Sequence, residues 1–213
     1  MGTRLDEACR RLLDIGLAGI LLLIAAPVLL AIAFLVKADS RGPVLFTHQR
    51  VGRGGAPFGL LKFRTMVADV SGRARAITVG ADPRITKVGA VLRRYKLDEL
   101  PQFWNVLCGD MSLVGPRPEV PRYVACYTPE QREVLAVRPG ITDPASLAYS
   151  DESTLLATFA DPERAYVEEI MPRKLALSRE YLRRRTLVSD LAVLAWTVTR
   201  LAGPPEHRGK VGS

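Results

Sequence analysis

An uncharged apolar run near the N-terminus constrains this chain more than any other feature. Ile15 to Val36 reads IGLAGILLLIAAPVLLAIAFLV, without a single charged residue. A helix needs about 20 apolar residues to span a bilayer, and helices buried in soluble cores are seldom apolar on every face. A cleaved signal peptide has a shorter apolar region, of roughly 7 to 15 residues. The run therefore predicts an N-terminal membrane anchor, which we place at residues 1–40.

The topology of the anchor depends on a proline near its middle. Pro27 removes a backbone donor and predicts a break at Ala26-Pro27. Basic residues, which favour the cytoplasmic side, flank both ends of the run: Arg4, Arg10 and Arg11 before it, Lys37 and Arg41 after it. A re-entrant helix that returns to the same face places both basic groups on the cytoplasmic side, whereas a kinked single span places only one of them there. The residues leave both forms open, and both place the downstream chain in the cytoplasm.

The charge balance favours anionic partners. The chain has 30 Lys and Arg against 22 Asp and Glu, a net charge of +8, which is typical of proteins that bind nucleic acid, acidic lipid or phosphorylated substrates. Aromatic residues make up only 7% of the chain and show no stacking pattern, which argues against nucleic acid. The three cysteines are scattered without a CxxC or Cys/His cluster, so we expect reduced thiols and neither zinc nor disulfides.

After the anchor, the pattern predicts a small hairpin followed by helices. Val44–Gln49 and Phe58–Phe63 flank the glycine-rich link RVGRGGAP, which is typical of a β-hairpin turn. Two amphipathic helices follow, marked by apolar residues at helical spacing: Ile85, Val88, Leu92 and Tyr95 in the first, and Leu97, Leu100, Phe103, Trp104 and Leu107, ending at Gly109, in the second. The first is basic and is either an interfacial helix beside the anchor or an ordinary surface helix.

The C-terminal third is also predicted to be helical. Pro162 to Arg185 reads as a helix interrupted or kinked at Pro172, and Asp190 to Leu201 as a last helix with Ser189 as its N-cap. The predicted fold class is α+β, mainly α: a re-entrant membrane helix, a small β-hairpin, interfacial amphipathic helices and one compact cytoplasmic catalytic domain at residues 41–202. A polar tail occupies residues 203–213.

Two adjacent acids stand directly behind a basic run in RRYKLDELP. Asp98 fits as a helix N-cap, with Glu99 and Pro101 in the first turn, and this arrangement is common. The alternative is chemical: an aspartate can attack a phosphorus atom when the negative charge of the phosphate is offset. Basic side chains can offset this charge, and so can a divalent metal. Glu99 is a suitable oxygen ligand for Mg²⁺.

Several basic side chains could bind phosphate beside these acids. They are Lys62, Arg64, Arg93, Arg94, Arg117 and Arg138. Arg117 and Arg138 stand next to prolines that stiffen the backbone, which suits the presentation of a guanidinium to a phosphate. A proline-flanked arginine is also common in ordinary surface loops.

Four ordered segments resemble one family. HQRVG, LKFRTM, KLDELPQFWNVLCGDMSLVGPRPE and RPGITDPASL are similar to segments of the monotopic phosphoglycosyl transferases, which are bacterial sugar transferases. The similarity runs from about Arg4 to Val198, and the long third segment is highly specific. The chain resembles the small form of the family, without the extra N-terminal spans of larger members.

The resemblance implies a reaction and a place. We expect transfer of a sugar-1-phosphate from a UDP-sugar to a polyprenol phosphate, with release of UMP, as the first membrane step of glycoconjugate assembly. The expected location is the bacterial inner membrane, in contact with its lipid, with the catalytic domain on the cytoplasmic face. The residues do not distinguish glucose, galactose and N-acetylated amino sugars, and they carry no signal for an oligomeric state.

The resemblance also implies residue roles. Asp98 would attack the sugar-proximal phosphorus and hold a covalent phosphosugar, and Glu99 would bind Mg²⁺. Arg117 would contact phosphate, and Lys62 and Arg64 match a basic strand end of the family. The anchor matches a helix–break–helix element, although the family break is Ser-Pro and this chain has Ala26 before Pro27.

Two non-catalytic functions remain as alternatives from the residues alone. One is a membrane-tethered binding module for acidic ligands, and the other is a structural anchor or scaffold subunit. Neither requires the side chains of Asp98 and Glu99, so substitution of Asp98 distinguishes them from the enzyme.

Overall fold

The computed structural model describes residues 4–67 and 82–202, and the predicted tail at residues 203–213 lies outside them. The α-helices in this part of the chain are α1 (Arg4–Asp39), α2 (Lys87–Arg94), α3 (Gln102–Cys108), α4 (Pro121–Val124), α5 (Pro144–Ala148), α6 (Glu152–Leu156), α7 (Pro162–Ala165), α8 (Met171–Arg184) and α9 (Leu187–Ala202). The strands are β1 (Leu45–Val51), β2 (Pro57–Phe63), β3 (Ser112–Val114) and β4 (Gly140–Thr142). The architecture is mainly helical, as predicted.

The apolar run forms the body of α1, which is long and apolar enough to cross a membrane. One side of α1 carries exposed large apolar side chains. Among them are Leu23, Leu30 and Phe34, each more than 70% exposed. The helix continues through Ala26 and Pro27, where a break was predicted, because a proline can bend a helix without ending it. The re-entrant course stays a prediction.

The opposite face of α1 belongs to the protein core. Ala18 is fully buried and packs in a cluster with residues of α3, β3 and α9. Ile32 and Val36 pack in a second cluster with Phe63 of β2 and Leu92 of α2. The predicted division between an anchor at 1–40 and a domain at 41–202 therefore runs through two hydrophobic clusters.

The predicted hairpin is confirmed. β1 pairs antiparallel with β2, with Phe46 opposite Lys62 and Arg50 opposite Phe58. Paired residues share a face, and so do residues two apart on a strand. Arg50, His48 and Lys62 therefore project from the same face of the hairpin.

A second, parallel pair of strands was not predicted. Ser112 of β3 pairs with Gly140 of β4, and Val114 pairs with Thr142. The C-terminal helices enclose a third cluster, which includes Tyr123, Leu156 and Tyr166. The helical stretch predicted from Pro162 is confirmed, with a π-helical segment at Tyr166–Ile170 just before Pro172.

The start of α9 corrects one prediction. Ser189 was expected to be the N-cap, but α9 begins at Leu187 and Thr186 precedes it. The Ser189 backbone N–H donates to the Thr186 hydroxyl at 3.1 Å, and the Thr186 N–H donates to the Ser189 hydroxyl at 2.8 Å. This reciprocal pair is a capping box, in which the first residue caps and the fourth supports it.

Candidate active site

The two acids lie in a tight turn between α2 and α3. Lys96, two residues after α2, has φ 59°, the left-handed conformation that non-glycine residues seldom adopt. This reversal leads into a 3₁₀ turn over Leu97–Glu99. Asp98 was predicted as the N-cap of the next helix, but α3 begins only at Gln102, with Pro101 before it. The turn buries Asp98 instead of using it as a cap.

α2 is held in place by its own first turn. The Thr86 hydroxyl accepts the Gly89 N–H at 2.9 Å, and the Asp39 carboxylate at the end of α1 accepts the Val88 N–H at 3.2 Å. A Cβ on Gly89 would lie 2.2 Å from the carbonyl oxygen of Thr65. Only glycine lets α2 approach the chain just after β2 this closely. This contact fixes the acid turn relative to Lys62.

Asp98 is a buried carboxylate with an unsatisfied oxygen. The residue is 6% exposed, and its Oδ1 has no hydrogen-bond partner in the structure. Burial raises the pKa of Asp98, and the positive charge of Lys62 partly opposes that rise. The charged form of this carboxylate is therefore poorly solvated, and a buried group with a shifted pKa is a candidate functional residue.

Glu99 is the centre of a buried ion triad. Its Oε1 accepts Lys62 Nζ at 2.9 Å and Arg117 Nη2 at 2.6 Å, and its Oε2 accepts Arg117 Nη1 at 3.3 Å. The carboxylate side chain is 15% exposed. Burial alone would raise the pKa of Glu99, but Arg117 and Lys62 together hold it well below its usual range. Glu99 is therefore ionised.

The pKa values of the two cations in the triad, Lys62 and Arg117, are shifted in opposite directions. Burial lowers the pKa of Lys62 despite the attraction of Glu99. Glu99 raises the pKa of Arg117 above its usual range, since the bidentate pair outweighs the cost of burial. The predicted residues Lys62, Glu99 and Arg117 thus meet at one point.

The other predicted basic residues have different surroundings. Arg93 lies on α2, close enough for its charge to lower the pKa of Asp98. Arg64 Nη2 donates to the carbonyl oxygens of Val36 at 3.3 Å and Ser40 at 2.6 Å, at the end of α1.

Arg138 also contacts the backbone: its Nε donates to the Gly109 carbonyl at 2.9 Å, just after α3. The structure therefore brings Lys62, Arg93 and Arg117 to the acids, whereas these contacts join Arg64 and Arg138 to helix ends. A role in phosphate binding stays a prediction for all of them.

Asn105 was missed by the sequence analysis. Its Nδ2 donates to Gly59 O at 2.8 Å, and its Oδ1 accepts the Leu61 N–H at 3.0 Å, so it ties α3 to the strand that carries Lys62. The signal was a polar residue within the apolar pattern of α3. Three more residues were missed: Glu119, two residues beyond Arg117, and its partners Arg50 and Tyr166. The two partners are distant from Glu119 in sequence, so no local pattern shows that the three meet.

Asp98 and Glu99 offer carboxylate oxygens of the kind that Mg²⁺ prefers, but they are too few to complete its coordination. In the described part of the chain, no three His, Cys, Asp or Glu residues gather as a metal cage. Mg²⁺ in phosphoryl-transfer sites is usually held by one or two carboxylates plus substrate phosphates and water. The unpartnered Oδ1 of Asp98 and the Oε2 of Glu99, with its single 3.3 Å contact, meet that requirement. The residue types present fit the ion, and its binding here stays a prediction.

Comparison with known proteins identifies a family for the chain. The sequence model of the family described as bacterial sugar transferase matches residues 5–203. The UDP-glucose:undecaprenyl-phosphate glucose-1-phosphate transferase of Caulobacter vibrioides is 38% identical over 90% of this chain and 69% of the relative.

Two further relatives are longer proteins. The enzyme of the same name from Escherichia coli is 36% identical over 91% of this chain and 40% of the relative. The UDP-N-acetylgalactosamine-undecaprenyl-phosphate N-acetylgalactosaminephosphotransferase of Aeromonas hydrophila is 40% identical over 75% of this chain and 37% of the relative.

Proposed function

Because the chain belongs to the bacterial sugar transferase family and is thus a phosphoglycosyl transferase, we propose that it moves a sugar-1-phosphate from a UDP-sugar to undecaprenyl phosphate and releases UMP. The relatives carry this donor and acceptor in their names, with glucose or N-acetylgalactosamine as the sugar. The observation that carries the proposal is the acid pair: a buried Asp98 with an unpartnered oxygen beside a Glu99 paired with two cations.

In the first step, an oxygen of the Asp98 carboxylate attacks the sugar-proximal phosphorus of the donor. The bond from that phosphorus to the bridging oxygen breaks, and UMP leaves with the oxygen and its electron pair. The phosphosugar remains on Asp98 as an acyl phosphate. The burial that leaves Asp98 poorly solvated supports its role as the nucleophile.

In the second step, a phosphate oxygen of undecaprenyl phosphate attacks the same phosphorus. The bond to Asp98 breaks, the carboxylate is restored, and an undecaprenyl-diphosphate sugar is formed. Neither step consumes water, so exclusion of water from the buried turn protects the intermediate from hydrolysis.

Positive charge must meet the donor diphosphate. Lys62 and Arg117 would do this, and the pairing of both side chains with the carboxylate of Glu99 supports the assignment. Mg²⁺ held by Glu99, with Asp98 adjacent, would neutralise diphosphate charge.

We place the enzyme at the bacterial inner membrane, with the site on the cytoplasmic face. The open apolar face of α1 would lie in lipid while its other face stays on the catalytic core. The reactive head of undecaprenyl phosphate also lies at the lipid boundary, so donor and acceptor can meet there. Residues Arg10, Arg11 and Lys37 on both sides of the apolar run support a re-entrant course.

The first experiment measures UMP release from a panel of UDP-sugars, in detergent with Mg²⁺ and undecaprenyl phosphate. We expect UMP from one donor. Release of UDP would show ordinary glycosyl transfer and contradict the proposal, and so would the absence of any release across the panel.

Substitution of the nucleophile tests the covalent step. Asp98→Asn should abolish turnover, because an amide cannot form the acyl phosphate, while the folded structure persists. Without acceptor, the intact mass of the wild-type chain should rise by one phosphosugar, and that of Asp98→Asn should not. Asp151→Asn, at an exposed helix start, is the matched control and should keep full activity. Unchanged product formation by Asp98→Asn would exclude Asp98 as the nucleophile and contradict the proposed mechanism.

A further inference from the structure

Glu119 lies two residues beyond Arg117 and collects hydrogen bonds from three parts of the chain. Its Oε1 accepts Arg50 Nη1 at 3.1 Å and the Val120 N–H at 2.8 Å. Its Oε2 accepts the hydroxyl of Tyr166. The side chain is 15% exposed, so these bonds replace water almost entirely.

Arg50 and its neighbour Val51 also bind backbone carbonyls of the loop that carries Glu119. Nη1 of Arg50 also donates to the carbonyl oxygen of Pro118 at 3.0 Å, and the Val51 N–H donates to that of Glu119 at 2.9 Å. Nη2 of Arg50 contacts His48 Nδ1 at 3.3 Å. Burial, and then Arg50 and Lys62, lower the pKa of His48 to about 4, so this ring is neutral and can accept.

The hairpin therefore links both cations of the ion triad. Lys62 is on β2, and Arg50 on β1 projects from the same face. Through Arg50, the hairpin holds the loop that carries Arg117. The β1–β2 hairpin therefore sets the distance between Lys62 and Arg117, and so allows both to meet at Glu99.

Glu119 also balances charge. Burial lowers the pKa of Arg50, Glu119 opposes that effect, and the positive charge of Arg117 adds to the lowering. The two guanidinium groups are thus close enough to repel each other. A carboxylate on Arg50 removes the repulsion that would otherwise push Arg117 away from Glu99.

Tyr166 fixes Glu119 from the C-terminal half of the chain. It is 3% exposed, its ring lies 4.9 Å from that of Tyr123, and the Lys174 ammonium lies 5.5 Å from its centroid. It is also the first residue of the π-helical segment, a rare conformation that often occurs at functional sites. Burial, with Glu119 beside it, raises the pKa of Tyr166 above its usual range, so the phenol remains a donor.

We propose that Arg50, Glu119 and Tyr166 are positioning residues that hold the guanidinium of Arg117 on Glu99 and, during the reaction, on the donor phosphate. None of the three has to touch the reacting atoms. The inference rests on the proposed function, in which Arg117 contacts phosphate.

A double-mutant cycle tests the network on the full chain in detergent. The four proteins are wild type, Tyr166→Phe, Arg117→Ala and the double variant, and kcat/KM is measured from UMP release. Tyr166→Phe should lower kcat/KM about tenfold, the size of one hydrogen bond to a charged group. In the Arg117→Ala background the same change should cost less than about twofold, within the additivity error of independent sites.

A purely structural role of Tyr166 predicts a different result. It would lower kcat/KM by the same factor in both backgrounds, and that outcome overturns the proposal, as does an unchanged kcat/KM for Tyr166→Phe. Tyr181→Phe is the matched control, because the Tyr181 hydroxyl also donates to a carboxylate, that of Asp190. Tyr181→Phe should leave kcat/KM unchanged.

Binding of UDP by the same four proteins separates this inference from the proposed function. If wild type releases UMP from no donor but Tyr166→Phe weakens UDP binding only when Arg117 is present, the function fails and the network stands. Equal weakening in both backgrounds overturns the network alone. Absence of UDP binding by wild type overturns both.

Discussion

Asp98 and Glu99 are neighbours in the chain with opposite electrostatic surroundings. Burial raises the pKa of Asp98, and one of its oxygens has no partner. Arg117 and Lys62 overcome burial and lower the pKa of Glu99. Two adjacent carboxylates with pKa values shifted in opposite directions suit different roles. The poorly solvated Asp98 suits the nucleophile proposed above, and Glu99 is a stable anion that accepts from Lys62 and Arg117.

This difference predicts opposite effects on stability. Asp98→Asn removes a poorly compensated buried charge. It should raise the free energy of unfolding at pH 8 by about 1 kcal/mol, and with it the melting temperature. Glu99→Gln removes the partner of Lys62 and Arg117 and should cost about 3 kcal/mol. Thermal melts of both variants against wild type, in one detergent, measure the two effects.

The pH dependence follows from the same two pKa directions. The folded pKa of Asp98 lies above its unfolded value, so the ionised group destabilises the fold at high pH, and the gain from Asp98→Asn should shrink as the pH falls. The folded pKa of Glu99 lies below its unfolded value, so its stabilisation is present at neutral pH and lost on acidification. The cost of Glu99→Gln should therefore also shrink at low pH. A gain from Asp98→Asn that grows on acidification would contradict this account.

At the scale of elements, the position of α2 determines where the acid turn lies. α2 contacts the chain after β2 through Gly89, where no Cβ fits beside the Thr65 carbonyl. The turn over Leu97–Glu99 follows α2 after only two residues. A displacement of α2 would therefore move Asp98 relative to Lys62.

Gly89→Ala should test this contact. The added methyl would lie 2.2 Å from Thr65 O, so we expect a loss of about 1 to 3 kcal/mol in stability together with a lower kcat. Gly19→Ala is the control, since a Cβ there meets nothing within 4 Å and alanine favours helix. Its melting temperature should equal or exceed that of wild type; equal melting of both variants would show that α2 can shift without strain.

Local patterns were enough to predict some elements. The β1–β2 hairpin, α2 and the interruption near Pro172 are each encoded within a short stretch, so periodicity and turn residues revealed them. The parallel β3–β4 pair joins three-residue strands that are distant in sequence, and no short pattern encodes that pairing. The cap of α9 was misplaced because Thr186 and Ser189 are both good caps, and only their mutual hydrogen bonds show which one leads.

At the scale of the whole molecule, α1 has two environments at once. One face is open and apolar over most of the helix, and the other supplies Ala18, Ile32 and Val36 to the core. The apolar run indicated the first environment, whereas nothing in an all-apolar sequence distinguishes a lipid-facing leucine from a core-facing one. The same limit applies to the active site: the acids and Arg117 were identified from the ordered segment, but the Arg50–Glu119–Tyr166 contacts depend on the tertiary fold.

Matched alanines in α1 test its place in the core. Ala18 is fully buried and Ala31 is exposed. Ala18→Leu should overpack the cluster around α3 and cost about 1 to 3 kcal/mol, whereas Ala31→Leu should leave the melting temperature in detergent unchanged. If both variants melted like wild type, α1 would be an appended anchor that contributes little to the folded core.

The contact between Arg64 and the end of α1 bears on the depth in the membrane at which the proposed reaction takes place. Arg64 grips the carbonyls of Val36 and Ser40, and Lys62 stands two residues before it, a span of at most about 7 Å of extended chain. If α1 lies in the bilayer as proposed, we expect this contact to hold the site for phosphoryl transfer at one depth relative to the lipid. An acceptor whose phosphate lies above or below that depth should then react poorly, even if its charge and headgroup match the site.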